Sequence, residues 1–111
     1  MEYISVEEFL KQDEKVQCTL KEYFDQEIIL YSFNNSVNYG VFDDVIDETP
    51  LLTESQIRKF IEDKTGCKLN VGNISKIINI YKNELDIPYE TDLLQAYWKV
   101  AIEIAKEGLN K

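Results

Sequence analysis

Two turn signals, Asn34-Asn35-Ser36 and Gly72-Asn73, constrain this chain more than any other feature. Each joins two runs rich in β-branched and aromatic residues, and each such pair of runs follows a stretch with helical apolar spacing. Asparagine and glycine adopt left-handed backbone at low cost, which a two-residue hairpin requires. Residues 28–33 therefore read as a buried strand, and Val37, Tyr39 and Val41 alternate with Asn38 and Gly40 as its partner. Cys67, Leu69 and Val71 alternate in the same way before the second turn, and residues 74–81 return. Residues 85–89 read as a short edge strand, where Pro88, lacking an amide proton, is tolerated.

The helical stretches carry their own punctuation. Ser5-Val6-Glu7-Glu8 fits a capping box, with Ser5 as the cap and Glu8 reaching back. Val6, Phe9, Leu10, Val16, Leu20, Tyr23 and Phe24 form the stripe behind it, and polar residues 11–15 place a break near Asp13. Thr53 with Gln56 opens a second helix through Ile57, Phe60 and Ile61, which Gly66 closes in the left-handed conformation. Asp92 with Gln95 opens a third, with Leu94, Tyr97, Trp98, Ala101, Ile102 and Ala105 on one stripe and Gly108 as its stop. The order helix–hairpin–helix–hairpin–helix predicts an α+β fold. Its expected form is a single domain over residues 1–111, a four- or five-stranded antiparallel sheet with helices packed on one face.

Composition excludes several kinds of function. With 44% hydrophobic and 12% aromatic residues the chain belongs with folded proteins, not disordered ones. It contains no histidine, the commonest general base and transition-metal ligand. No GxGxxG, P-loop, GxSxG or EF-hand spacing occurs, so no catalytic residue, metal or cofactor is expected. Glu62-Asp63-Lys64 spells the E-x-K of some nucleases, but it falls at a helix end, where Lys64 complements the dipole. Trp98 reads as a core anchor. Cys18 and Cys67 read as free, largely buried thiols, with a disulfide as the alternative. Without a basic n-region followed by an apolar run, a cytoplasmic location is expected.

Charge is distributed unevenly. Residues 1–50 carry twelve acids against three lysines, a net of −9, while residues 51–111 carry nine of each sign. A pI near 4.4 and a single arginine, Arg58, argue against direct binding of nucleic acid or anionic membrane. Attraction is instead toward cationic partners. Asp43, Asp44, Asp47 and Glu48 are the densest candidates. On a helix they would lie opposite Val41, Phe42, Val45 and Ile46, stacking Asp43 over Asp47 and Asp44 over Glu48. Glu22, Asp25 and Glu27 extend the same acidic region. Tyr31, Tyr39 and Tyr89 are candidates for exposed contact residues, since tyrosine is enriched at interfaces.

Three blocks, residues 6–17 (VEEFLKQDEKVQ), 50–66 (PLLTESQIRKFIEDKTG) and 92–101 (DLLQAYWKVA), carry a resemblance. In these the chain resembles small proteins of no established activity encoded by phages and prophages of clostridia and related Gram-positive bacteria. The resemblance implies an anti-defence context, such as an anti-CRISPR inhibitor that covers a basic nucleic-acid-binding surface of a host protein. On this expectation Glu22, Asp25, Glu27, Asp43, Asp44, Asp47 and Glu48 face the partner. Two other readings stand beside it. One is an accessory or structural module, homodimeric through an edge strand; the other is a protein that binds a divalent metal or a small ligand.

Overall fold

The computed structural model describes residues 2–44, 47–66 and 93–107. The chain forms two compact units, Met1–Thr53 and Glu54–Lys111. The class is α+β, with helices and an antiparallel sheet.

The first unit begins as its capping residues dictate. Ser5 stands in extended backbone, its Oγ accepts from the Glu8 amide at 3.2 Å, and helix α1 runs Val6–Leu10. The chain breaks where the polar residues stand, and α2 resumes at Glu14–Phe24 behind Asp13. Glutamine side chains stabilise the corner by satisfying carbonyls that no longer have a helical partner. Gln17 Nε2 donates to the Gln12 and Leu10 carbonyls at 2.8 and 3.2 Å, and Gln12 Nε2 to the Glu8 carbonyl at 3.2 Å. Leu10, expected in the apolar stripe, is the last residue of α1 and is 55% exposed.

Strands β1, Ile28–Phe33, and β2, Ser36–Val41, pair antiparallel from Ile28↔Val41 to Phe33↔Ser36. Asn34 and Asn35 have φ of 53° and 61°, the two left-handed positions of a type I′ turn. A third strand, β3, Thr49–Pro50, was not expected from the sequence; it pairs antiparallel with Tyr31 and Ser32, giving the order β2-β1-β3. Beyond it Leu51 donates to Leu30, and Ile4 to Leu52, both at 2.9 Å. Ile4, Phe9, Val16, Leu20, Phe24, Ile29, Phe42, Leu51 and Leu52 are buried and form the core of this unit. Each large apolar side chain so buried contributes roughly 1.5–3 kcal/mol.

In the second unit, α3 runs Glu54–Thr65 and α4 runs Leu93–Glu107, and the two helices pack on each other. Helix α3 starts immediately after Thr53 and buries Ile57, Phe60 and Ile61. Gly66 follows it at φ 73°, its amide bonded to the Glu62 carbonyl at 2.9 Å. The buried arc of α4 is wider than the expected stripe. Ala96, Val100 and Ile104 join Leu94, Tyr97, Trp98, Ala101 and Ala105, whereas Ile102 is only half-buried. The expected second hairpin (67–71 and 74–81), the edge strand (85–89), Cys67, Tyr89, Asp92 and Gly108 lie outside the described residues. No helix among the described residues is long and apolar enough to cross a membrane.

Candidate partner-binding surface

Backbone pairing continues past the hairpin's open end and gathers the acids there. The Gln26 amide donates to the Phe42 carbonyl at 2.7 Å, and the Phe42 amide to the Glu27 carbonyl at 2.8 Å. Residues 25–27 and 42–44 thus lie side by side. Asp25 Oδ1 accepts from the Asp44 amide at 3.0 Å, and Glu48 Oε1 from the Asp43 amide at 2.9 Å. Glu22 stands one turn back along α2, exposed, and its carbonyl accepts from the Asp25 amide at 3.3 Å.

The stacking that a helix would give, Asp43 over Asp47 and Asp44 over Glu48, is not what the described backbone forms. Asp43, Asp44, Asp47 and Glu48 lie in turn and irregular backbone, because the Phe42 amide and carbonyl are bonded across to Glu27 and Gln26. Nor do the four acids share one outward face. Asp47 is exposed, Asp43 and Asp44 are half-buried, and Glu48 is only 6% exposed, turned inward onto the Asp43 amide. Glu48 and Asp25 are thus bonded to the loop backbone; Glu22, Glu27 and Asp47 are exposed. Among the described residues, no group of three or more His, Cys, Asp or Glu side chains is placed to hold a metal ion.

The structure also reveals a surface that the acid count did not suggest. Residues facing each other across the hairpin share one side of it, so Ile28, Leu30 and Ser32 lie on the same side as Val41, Tyr39 and Val37. On that side Tyr39 is 73% exposed, Ile28 59%, Val37 57% and Val41 53%. The opposite side carries buried Ile29 and half-buried Tyr31, whose ring lies 6.4 Å from that of Phe42. The expectation that β1 is buried is therefore right for one side only. The sequence did hold a signal: 28–31 is apolar at every position, more than a strand with one covered side requires.

Elsewhere the candidates resolve simply. Cys18 is a free thiol but exposed, contrary to the buried expectation. It lies two residues from both Val16 and Leu20, about 200° around the helix from each. Glu62, Asp63 and Lys64 are inside α3, with the Lys64 ammonium 6.0 Å above the Phe60 ring. Trp98 is buried, as expected of a core anchor. Tyr97 is buried too, and among the described residues its hydroxyl has no hydrogen-bond partner. Burial, then the Glu54 carboxylate, push its phenol above the ordinary value, with Arg58 opposing and Glu62 adding to the rise.

Comparison of the chain with protein-family models, curated proteins and solved structures finds no match.

Proposed function

We propose that this chain is a non-enzymatic binding protein whose first unit docks on a basic, nucleic-acid-binding surface of another protein and blocks it. A phage-encoded inhibitor of host defence is the setting this reading favours. The observation that carries it is the coincidence, in one unit, of a net charge of −9 and an exposed apolar hairpin side. Charge alone gives fast, salt-sensitive encounter and little lasting affinity. An apolar area beside it supplies what charge lacks.

The test is affinity capture of a partner at roughly 50 and 300 mM salt, where screening of surface charge differs strongly. It is followed by competition between the captured partner's nucleic acid and this chain. The charge-reduced control is Glu22→Gln with Asp44→Asn and Asp47→Asn; it retains Asp25 and Glu48, whose carboxylates hold the loop backbone. One basic partner, lost at high salt and in the control, and competing with nucleic acid, is the expected result. Capture indifferent to salt and to the control would leave an accessory module as the better description.

A further inference from the structure

We infer that the outer side of the β1–β2 hairpin is the seat for a single amphipathic helix of the partner, about three to four turns long, with Lys or Arg clustered at one end. This inference rests on the binding reading above and specifies what the first unit would grip.

The dimensions come from the strands. Six residues of β-strand extend about 20 Å, and two neighbouring strands present a width of about 10 Å. A helix is 10–12 Å across and rises 1.5 Å per residue, so about 13 residues cover that footprint. Tyr39 stands at the middle of the ladder, opposite Leu30, and among the described residues is the most exposed of the large hydrophobics. A central, exposed tyrosine is the kind of anchor on which interface energy concentrates.

Charge complementarity selects the occupant and its orientation. The acids are at one end of the hairpin: Glu27 precedes Ile28, and Asp43 and Asp44 follow within three residues of Val41. The opposite end is the neutral turn Asn34-Asn35-Ser36. A cationic end therefore belongs beside residues 25–27 and 42–44. A second copy of this chain fits poorly, because it would bring another net −9 unit against the first.

The test uses the full chain and synthetic peptides of 14 residues. One is a Leu/Lys helix with an apolar stripe and its lysines toward one end; a scrambled peptide keeps that composition, and a Leu/Glu helix reverses the charge. Fluorescence anisotropy should show the amphipathic Leu/Lys peptide binding at least tenfold tighter than either control. Tyr39→Ser with Val41→Thr should weaken it at least tenfold, with circular dichroism confirming an unchanged fold. Methyl spectra should shift at Ile28, Val37 and Val41 and remain still at Ile4 and Ile57. Equal binding of the scrambled peptide, unmoved hairpin methyls, or a dimer in sedimentation that buries Tyr39 overturns the inference. If the peptide fails while salt-sensitive capture still depends on Glu22, Asp44 and Asp47, only the helix seat falls; if both fail, the binding reading falls too.

Discussion

Glu48 is the residue at which a structural and a surface role for the acidic run can be separated. The residue is 6% exposed and its carboxylate accepts from the Asp43 amide at 2.9 Å, a bond across five residues that closes the loop before β3. A hydrogen bond to a charged acceptor contributes about 1.5–3 kcal/mol. Two effects reduce the loss in Glu48→Ala: water can reach the half-buried Asp43 amide, and no carboxylate need be desolvated. We therefore expect Glu48→Ala to cost about 1–2 kcal/mol, and Glu48→Gln, which retains an acceptor oxygen, about half of that. Asp47→Ala, at an exposed position in the same run, should stay within about 0.5 kcal/mol of the parent. Urea unfolding at fixed pH measures the global term, and amide exchange at Asp43 measures the local one. A loss in Glu48→Ala no larger than in Asp47→Ala, with unchanged exchange at Asp43, would refute the reasoning.

Three further substitutions probe other elements. Ser5→Ala removes the side-chain acceptor of the Glu8 amide and should cost about 1 kcal/mol in urea unfolding. Gly66→Ala meets no atom within 4 Å but places a side chain at φ 73°, so it should cost about 1–2 kcal/mol from backbone strain alone. Gly66→Asn should cost less, since asparagine tolerates that region. Tyr97→Phe removes a buried hydroxyl with no partner among the described residues and should be neutral or stabilising by up to about 1 kcal/mol near neutrality. Its phenol ionises later in the folded chain than in the unfolded one, so the folded state holds more protons above pH ~10 and stability falls there as pH rises. Unfolding curves from pH 9 to 11 should show that fall reduced in Tyr97→Phe.

Local signals in the sequence carried over well because local chemistry determines them. Ser5, the break at Asp13, the Asn34-Asn35 turn and Gly66 all act within a few residues of backbone, and each stands where it was read. The features that were missed depend on distant partners. Strand β3 is two residues long and exists because Tyr31 and Ser32 offer it a pairing edge. Val41 and Phe42 belong to the hairpin and its extension: Val41 completes β2, and Phe42 is buried and bonded back to residues 26 and 27, while Val45 and Ile46 lie outside the described residues. Cys18 was legible, had its angle from Val16 and Leu20 been weighed above the usual burial of cysteine. Of the tyrosines read as exposed contact residues, Tyr39 is exposed and Tyr31 only half so; the exposure of Val41 was not legible, because alternation states that two sides differ without saying which one is covered.

The same arrangement predicts how binding should divide into rates. The first unit holds its carboxylates in place with its own amides, as Asp25 does with Asp44 and Glu48 with Asp43, so part of its charge is built into the loop and cannot be removed without loosening it. The exposed remainder, Glu22, Glu27 and Asp47, acts at a distance and falls off within a Debye length of about 8–10 Å at ordinary salt. The hairpin's apolar side acts only on contact. In the proposed complex, raising salt or neutralising Glu22, Asp44 and Asp47 should therefore lower the association rate and leave dissociation nearly unchanged. Replacing Tyr39 by serine should do the reverse, speeding dissociation with little effect on association. Surface-plasmon traces of the captured partner can separate the two. If both kinds of substitution changed the same rate constant, charge and apolar contact would be acting at one place, and the end-to-side division of labour drawn from the hairpin register would be wrong.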